Sequence, residues 1–341
     1  MKWLDVDDFI SKKTFVIDVR SPIEFDKGHI PSAWNLPLFS DEERARIGTT
    51  YKQESKQEAI DLGLEIVGPK MATLVRKIRE KAAGETDIYM YCFRGGMRSQ
   101  SLAWLLEICG FHVNLLQDGY KAFRAWATEQ CSKPYPLVVL GGLTGSAKTE
   151  ILHAIQSRGE SVIDLERFAN HKGSAFGALG CTEQPTQVQF ENRLGVALFE
   201  LTDAQRIWVE DESRTIGHRI IPLHFWSQMR KTTVLFLERT IEDRLDHLIS
   251  GYGAFPLEEL CLCAEKIRKR FGPERTKELL FLIEQGSLRT AMMLVLKYYD
   301  KGYLHGLNKR EVSDVYRVPV LGLNHEQVAN DVITYLAERK N

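Results

Sequence analysis

The sequence contains few cysteines and no long apolar run. Its 341 residues include six cysteines, too few and too scattered for a disulfide framework or a zinc site built from paired CxxC motifs. No apolar run approaches the roughly 20 residues that a membrane-spanning helix needs. The first thirty residues include Asp5, Asp7, Asp8 and Asp18 where a secretory peptide would need an apolar stretch. We therefore expect a cytoplasmic protein that does not enter a membrane.

The sequence also lacks an excess of charge of either sign. Its 45 basic residues are balanced by 46 acidic ones, so the whole chain gives no electrostatic indication of a nucleic-acid partner. Residues 266–310 differ, because eleven lysines and arginines in this stretch face only four acidic residues. This local excess of seven positive charges is a candidate surface for a polyanionic partner.

Length and composition indicate a globular α/β protein of about two domains. Apolar residues make up 44% and charged residues 27%, which is ordinary for folded domains, and domains typically contain roughly 100 to 200 residues. The α/β pattern breaks into polar residues and two prolines, Pro134 and Pro136, before a second α/β pattern begins. We predict a first α/β domain over residues 1–127 and a second over 135–341, the second with a helical C-terminal part.

Short apolar runs alternate with amphipathic stretches in both halves, which is typical of parallel sheets covered by helices. The predicted strands are 15–19, 88–91, 112–116, 137–140, 161–165, 206–210 and 233–237. The predicted helices are 70–83, 98–109, 148–158, 241–250, 264–271, 276–284, 287–298 and 326–339.

The first motif is the seventeen-residue run from Phe15 to Pro31, which contains Asp18-Val-Arg20 and Gly-His-Ile-Pro. It resembles the N-terminal signature of rhodanese-like domains, whose first motif strand ends in Asp-Val-Arg. For Asp18, Arg20 and Glu24, we favour a structural role in which ion pairs brace the loops.

The second motif places a cysteine at the carboxyl end of a predicted strand, before a glycine-bearing loop and a helix. Backbone N–H groups and the helix dipole converge at such a position and favour a thiolate and an anion bound beside it. Cys92 is therefore the candidate catalytic residue. The candidate anion-binding loop consists of Phe93, Arg94, Gly95, Gly96, Met97 and Arg98.

The spacing of this loop leaves several functions open. Arg98 lies six positions after Cys92, whereas rhodanese-type sulfur carriers commonly place any arginine five positions after the cysteine. The Cys-x5-Arg spacing is that of cysteine phosphatases and leaves room for a phosphate-sized group. A phosphatase and a transferase that uses a phosphate-bearing chalcogen donor both fit it.

The third motif fits the P-loop pattern GxxxxGK[ST] except at one position. The candidate diphosphate cradle is Gly142, Leu143, Thr144, Gly145, Ser146, Ala147, Lys148 and Thr149, between a predicted strand and a predicted helix. Backbone N–H groups and Lys148 would hold the phosphates, and Thr149 with Asp211, at the end of a later strand, could associate with Mg²⁺. Ala147 replaces the last glycine at a position that favours a backbone open mainly to glycine.

In this order, the motifs resemble the tRNA 2-selenouridine synthase family, a fusion of a rhodanese-like domain with a P-loop domain. The resemblance runs nearly end to end and departs from the family pattern at Ala147. Further matching segments are 164–177, 184–187, 210–214 with Ile216-Gly217, and 298–300.

The resemblance implies a two-step reaction on the wobble uridine of tRNA. The sulfur of 2-thiouridine first attacks geranyl diphosphate, and selenophosphate then replaces the geranylthio group with selenium. The P-loop would hold the diphosphate and the Cys92 loop the selenophosphate. The substrates would be geranyl diphosphate, selenophosphate and tRNA, with no tightly bound cofactor and a possible role for Mg²⁺.

Within the basic stretch, Arg268, Lys269 and Arg270 are the candidate tRNA contacts. The alternative function is a cysteine phosphatase or sulfurtransferase module fused to an ATP-dependent small-molecule kinase. The sequence does not indicate the tRNA species, the oligomeric state or whether Cys92 carries selenium covalently.

Overall fold

The computed structural model describes residues 1–12, 15–174, 176–310, 315–320 and 324–338. Two compact units divide the chain: unit 1 comprises Met1–Gln130 with Thr186–Glu200, and unit 2 comprises Cys131–Pro185 with Leu201–Asn341. Both units contain a parallel sheet and helices, which confirms the α/β fold class. The linear division into residues 1–127 and 135–341 stays a prediction, and the segment 186–200 is the part that the compact units assign differently.

The elements are numbered in chain order through both units. The strands are β1 (Lys2–Leu4), β2 (Val16–Asp18), β3 (Trp34–Asn35), β4 (Asp87–Tyr91), β5 (His112–Leu116), β6 (Leu137–Gly142), β7 (Ser161–Ile163), β8 (Ile207–Glu210), β9 (Thr215–Ile216), β10 (Arg219–Ile220), β11 (Val234–Glu238) and β12 (Val315–Pro319). The helices are α1 (Val6–Ser11), α2 (Pro22–Lys27), α3 (Asp41–Gln53), α4 (Lys56–Val67), α5 (Met71–Ala82), α6 (Met97–Ile108), α7 (Gly119–Gln130), α8 (Lys148–Ser157), α9 (Leu165–Ala169), α10 (Gln187–Glu200), α11 (Leu223–Lys231), α12 (Ile241–Tyr252), α13 (Leu257–Lys266), α14 (Arg268–Phe271), α15 (Pro273–Glu284), α16 (Leu288–Asn308) and α17 (His325–Glu338).

Unit 1 contains a five-stranded parallel sheet in the order β1-β5-β4-β2-β3. Ile17, Ile88 and Leu115 on its inner strands are fully buried in its core. Because β4 lies inside the sheet, its carboxyl end brings Cys92 to the edge at which α6 begins. Ligands of open parallel sheets bind outside this edge.

Helix α10 packs with unit 1 although its sequence lies among segments of unit 2. Asn192 on α10 is fully buried and donates its amide N–H to Tyr120 Oη at 2.9 Å and to the His29 carbonyl at 3.0 Å. At Gly195, an added Cβ would lie 2.6 Å from the Ala127 carbonyl oxygen, so the absence of a side chain there permits the close approach of α10 to α7.

Unit 2 contains a second parallel sheet in the order β12-β11-β6-β8-β7. The central β6 is buried along its whole length, consistent with its continuous apolar sequence. Its carboxyl end leads directly into the predicted P-loop, and α8 begins at Lys148. Helices α12 to α16 form a further hydrophobic cluster beside this edge of the sheet.

The structure differs from the sequence predictions mainly in the helices. α3 and α4 were not predicted, although Ser40 and Glu43 form a capping box at the start of α3. α16 runs ten residues beyond the predicted end at Tyr298, and the last 90 residues also contain β12. Arg339, the predicted end of the last helix, lies outside the described residues. No helix in the described part of the chain is long and apolar enough to cross a membrane.

Candidate active sites

The first candidate site surrounds the Cys92 thiol. Its Sγ accepts hydrogen bonds from the Gly96 backbone N–H and from the Ser99 hydroxyl, both at 3.2 Å. Gly95 has φ +61°, so a left-handed residue turns the loop into α6. The loop thus directs an N–H group and a hydroxyl at the sulfur of Cys92.

The first residues of α7 pack closely against the backbone of the Cys92 loop. Gly119 has φ +60°, and an added Cβ would lie only 2.3 Å from the Cys92 carbonyl oxygen. The Tyr120 and Lys121 N–H groups donate to the carbonyl oxygens of Cys92 and Phe93 at 2.9 and 3.0 Å. The start of α7 therefore fixes the backbone of the loop.

The loop arginines occupy different positions. The Arg98 guanidinium donates to Glu24 Oε2 at 2.7 Å, whereas Arg94 is exposed and lies 5.8 Å from the centre of the Phe93 ring. Burial alone would raise the pKa of Glu24, but the hydrogen bond and charge of Arg98, with a smaller effect of Arg44, lower it. Phe93 and Met97 are also exposed, so these side chains and Arg94 are accessible to a ligand.

The ion pair between Asp18 and Arg20 has the bracing role that the sequence indicated. Both side chains are buried, and the guanidinium contacts both carboxylate oxygens at 2.5 to 3.0 Å. Arg20 also donates to the Gly28 carbonyl at 2.8 Å and lies 3.8 Å from the centre of the Tyr120 ring. The pair therefore connects the strand end to the following loop and to α7.

The second candidate site is the loop from Gly142 to Thr149. Lys148 Nζ donates to the Gly142 carbonyl at 3.2 Å, so the side chain folds back across the loop. Ala147 is buried in the left-handed region with φ +58° and ψ +38°, as expected for a position that favours glycine. The Ser146 hydroxyl is buried without a hydrogen-bond partner among the described residues. The centre of the loop therefore contains a buried hydroxyl without a described hydrogen-bond partner, at Ser146, and a residue with a strained backbone, Ala147.

Acidic side chains surround the Thr149 end of this loop. The Thr149 hydroxyl donates to Glu166 Oε2 at 2.7 Å, and the Glu166 N–H donates to Glu210 Oε1 at 2.9 Å. An added Cβ at Gly173 would lie 2.5 Å from Glu166 Oε1 and 2.7 Å from Glu212 Oε1, which places both carboxyls against the same backbone. Burial, followed by the charge of Glu166, raises the pKa of Glu212 to about 8. Burial also raises the pKa values of Glu166 and Glu210.

Asp211 lies in the same region, but its carboxylate accepts hydrogen bonds from other side chains of the protein. Tyr303 donates its hydroxyl to one oxygen at 2.6 Å, and Arg310 contacts the other. The Thr149 hydroxyl is bonded to Glu166. Among the described residues, no group of three or more His, Cys, Asp or Glu side chains could hold a metal ion. The Thr149 hydroxyl and the Asp211 carboxylate are thus both hydrogen-bonded to protein groups, and their association with Mg²⁺ stays a prediction.

Two residues distant in sequence fix the P-loop to the helical region. Arg244 on α12 donates to both carboxylate oxygens of Asp300 on α16 at 2.8 and 2.7 Å. It also donates to the Thr144 carbonyl at 3.3 Å. We did not predict this pair as part of the site, although Arg244 lies in the predicted helix 241–250 and Asp300 lies in the matching segment 298–300.

The P-loop opens into a cleft of about 1630 Å³ in unit 2. Four acidic residues line it, at positions 150, 166, 211 and 212. The lining has far more basic residues, namely Lys148, Lys172, Arg214, Arg230, Lys231, Lys266, Arg270, Arg275, Lys301, Lys309 and Arg310. Six of the eleven basic residues noted in 266–310 therefore line this concave surface, namely Lys266, Arg270, Arg275, Lys301, Lys309 and Arg310.

The three candidate tRNA contacts are not equivalent in the structure. Arg270 lines the cleft, whereas the exposed Arg268 forms an ion pair with Glu265 at 2.5 Å. Lys269 is exposed and does not line the cleft. Spacing along the short helix α14 could not separate these positions, because the distinction depends on the neighbouring helices.

Comparisons with known proteins support the resemblance in both halves of the chain. A family model described as "tRNA 2-selenouridine synthase AAA domain" matches residues 135–329, and one described as "Rhodanese-like domain" matches residues 4–125. A tRNA 2-selenouridine synthase of Shewanella frigidimarina is 36% identical over 89% of this chain and 91% of that protein. A protein of the same name from Pseudomonas fluorescens is 34% identical over 86% of this chain and 89% of that protein.

Proposed function

Because the chain belongs to the tRNA 2-selenouridine synthase family, we propose that it converts 2-thiouridine at the wobble position of tRNA to 2-selenouridine. It is an enzyme of the transferase type. We further propose that the conversion proceeds through S-geranyl-2-thiouridine, with geranyl diphosphate and selenophosphate as the other substrates. A tRNA substrate also supports a cytoplasmic location.

The first step forms a C–S bond, breaks a C–O bond and releases one proton. The 2-thiouridine sulfur attacks the allylic carbon of geranyl diphosphate, the C–O bond breaks, diphosphate leaves and the base loses its N3 proton. Negative charge grows on the leaving oxygen, where the loop N–H groups and Lys148 would stabilise it. Since the sulfur is already nucleophilic and diphosphate is a good leaving group, this step needs no ATP.

The second step exchanges sulfur for selenium. Selenium of selenophosphate attacks C2 of the base, geranylthiol leaves with a proton, and attack of water on phosphorus then releases phosphate. The Cys92 loop would bind the selenophosphate through its backbone N–H groups and Arg94. This exchange depends on the earlier alkylation. A thiocarbonyl sulfur is a poor leaving group, whereas the sulfur of the thioether can leave C2 as geranylthiol.

The observation that carries this proposal is the presence of two separate oxyanion loops in a chain with family similarity across both. One loop has a thiol that accepts two hydrogen bonds, and the other has a lysine and no cysteine. A selenium donor bearing phosphate and a prenyl donor bearing diphosphate each require such a loop. The basic cleft supports a polyanionic third substrate.

The test separates the two steps by substitution. Purified Cys92→Ser and Lys148→Ala proteins are given thiolated tRNA, geranyl diphosphate and selenophosphate, and the tRNA nucleosides are measured by mass spectrometry. We expect Cys92→Ser to accumulate the geranylated nucleoside, because the substitution removes the thiol of the loop that we propose for the second step and leaves the P-loop of the first step unchanged. We expect Lys148→Ala to make no geranylated nucleoside but to convert tRNA that is supplied already geranylated.

Cys109→Ser is the matched control, since Cys109 lies at the end of α6 in the same unit, away from the loop. It should retain both activities. Selenouridine formation by Cys92→Ser at the parental rate would remove Cys92 from the reaction. A strict ATP requirement for geranylation would favour the kinase alternative for unit 2.

A further inference from the structure

One part of the cleft in unit 2 is apolar although basic residues dominate the lining as a whole. We call this part the apolar wall. It consists of Leu248, Gly251 and Tyr252 on α12, Ile267 after α13, and Tyr298 and Tyr299 on α16. Leu248, Tyr252 and Ile267 are buried members of the hydrophobic cluster of the helical region, and the two tyrosines of α16 pack against it.

The apolar wall begins directly beside the P-loop. A Cβ added at Gly145 would lie 3.2 Å from Leu248 Cγ and 2.8 Å from the Arg244 carbonyl oxygen. Gly251 and Tyr252 follow Leu248 at spacings of three and four residues, which places them on the same helix face. A ligand with its phosphates in the P-loop could therefore extend along α12 over carbon atoms.

The hydroxyl groups of Tyr252 and Tyr298 in the apolar wall are within hydrogen-bond distance of other protein atoms. The Tyr252 hydroxyl is within hydrogen-bond distance of Ser174 Oγ at 3.3 Å, and the Tyr298 hydroxyl donates to the Arg270 carbonyl at 3.1 Å. These two residues consequently offer mainly ring carbon to the cleft. Small-molecule sites typically combine such apolar surface with a few polar groups that hold one end of the ligand.

We propose that the apolar wall binds the prenyl chain of an allylic diphosphate whose diphosphate lies in the P-loop. This inference rests on the proposed function and adds the subsite that recognises the chain. Gly251 is the specificity-determining position, because it lines the cleft and a Cβ there would meet nothing within 4 Å.

Contact between the prenyl chain and the apolar wall predicts how the affinities of the parental protein for different diphosphates should compare. Burial of one methylene changes affinity by about fourfold. Geranyl diphosphate should therefore bind at least tenfold more tightly than dimethylallyl diphosphate, which is one isoprene unit shorter, and inorganic diphosphate should bind most weakly. Isothermal titration calorimetry of the full chain with each of these three ligands measures the series.

The decisive variant is Gly251→Leu, since the added Cβ would meet no heavy atom within 4 Å and the longer side chain would occupy part of the cleft. We expect it to weaken geranyl diphosphate binding at least tenfold and to leave the affinity for inorganic diphosphate unchanged. Gly306→Leu is the matched control, since Gly306 also lines the cleft and has open space, but lies next to Arg230, which donates to its carbonyl at 2.7 Å. The control should bind geranyl diphosphate as the parent does.

Failure of this inference can be distinguished from failure of the proposed function. If the parent binds geranyl diphosphate no better than inorganic diphosphate, the proposed prenyl donor itself is wrong. If the parent prefers geranyl diphosphate but Gly251→Leu binds it normally, the chain lies elsewhere and the inference is overturned. Weakened ATP binding with normal geranyl diphosphate binding in Gly251→Leu would assign the apolar wall to a nucleobase and also overturn it.

Discussion

Arg98 Nη1 donates to Glu24 Oε2 at 2.7 Å, so the arginine of the Cys92 loop is paired with an acid of the first rhodanese-like motif. The carboxylate lies on α2 and the guanidinium on α6, 74 residues further along the chain. Their side chains are only 14% and 24% exposed, respectively. The pair therefore connects two motifs that the sequence presents separately.

We expect Glu24 and Arg98 to be energetically coupled. A double-mutant cycle with Glu24→Gln, Arg98→Met and the double variant should give a coupling free energy of unfolding of about 1 to 2 kcal/mol, because the partly buried pair is less screened than a surface pair. Urea denaturation measures it. Additive effects of the two substitutions would show that the contact contributes nothing.

Ala147 supplies a prediction about the P-loop. Its left-handed backbone costs an alanine about 1 kcal/mol, so Ala147→Gly should stabilise the protein by at most this amount and tighten geranyl diphosphate binding severalfold by removing a buried methyl from the cradle. Ala83→Gly is the matched control, since Ala83 also has a positive φ, of +48°, but lies at the exposed end of α5. It should change stability alone. Equal ligand affinities of parent and Ala147→Gly would contradict the prediction.

The carboxyl cluster at the P-loop predicts a pH dependence of stability. The pKa of Glu212 is raised from 4.5 to about 8, first by burial and then by Glu166, so the folded protein retains a proton that the unfolded chain releases in this window. The contribution of Glu212 is therefore complete below pH 4.5 and is lost as the pH rises through about 8.

Glu212→Gln should flatten this dependence, because the amide is neutral at every pH. Thermal unfolding midpoints between pH 5 and 8.5 provide the measurement. Glu258→Gln, at an exposed position on α13, controls for the loss of one acidic side chain. A parent whose midpoint rises steadily over the same range, with no difference in Glu212→Gln, would contradict the assignment.

The cleft lining predicts which basic residues of the helical region contact tRNA. Each phosphate contact contributes about one unit to the slope of log affinity against log salt concentration. Replacing Lys266 and Arg270 by alanine should therefore reduce that slope by about two, whereas Arg268→Ala should leave it unchanged because Arg268 does not line the cleft and pairs with Glu265. Binding of tRNA at several salt concentrations tests this. An equal effect of Arg268→Ala would place the nucleic acid outside the cleft.

The parts of the molecule that could be predicted are those encoded by adjacent residues. The strand, loop and helix at Cys92 and at Lys148 each occupy a short segment, so residue type and spacing were sufficient to predict them. The end of α16 was predicted too early because Asp300-Lys-Gly interrupts the apolar pattern, yet Asp300 is held in the helix by its pair with Arg244 on α12. The apolar wall and the pairing of Asp211 with Arg310 also depend on contacts between distant segments, which no local pattern contains.

The placement of α10 has a consequence for synthesis of the protein on the ribosome. Asn192 bridges Tyr120 and His29 inside unit 1, but it is made more than sixty residues after the last strand of that unit. Domains usually fold as they emerge, from the N-terminus onward. Here the nascent rhodanese-like part cannot complete its packing until β6, the P-loop and α8 have also emerged, and the face of α7 stays uncovered until then. A translation pause or a truncation before residue 200 would leave that face exposed to other proteins.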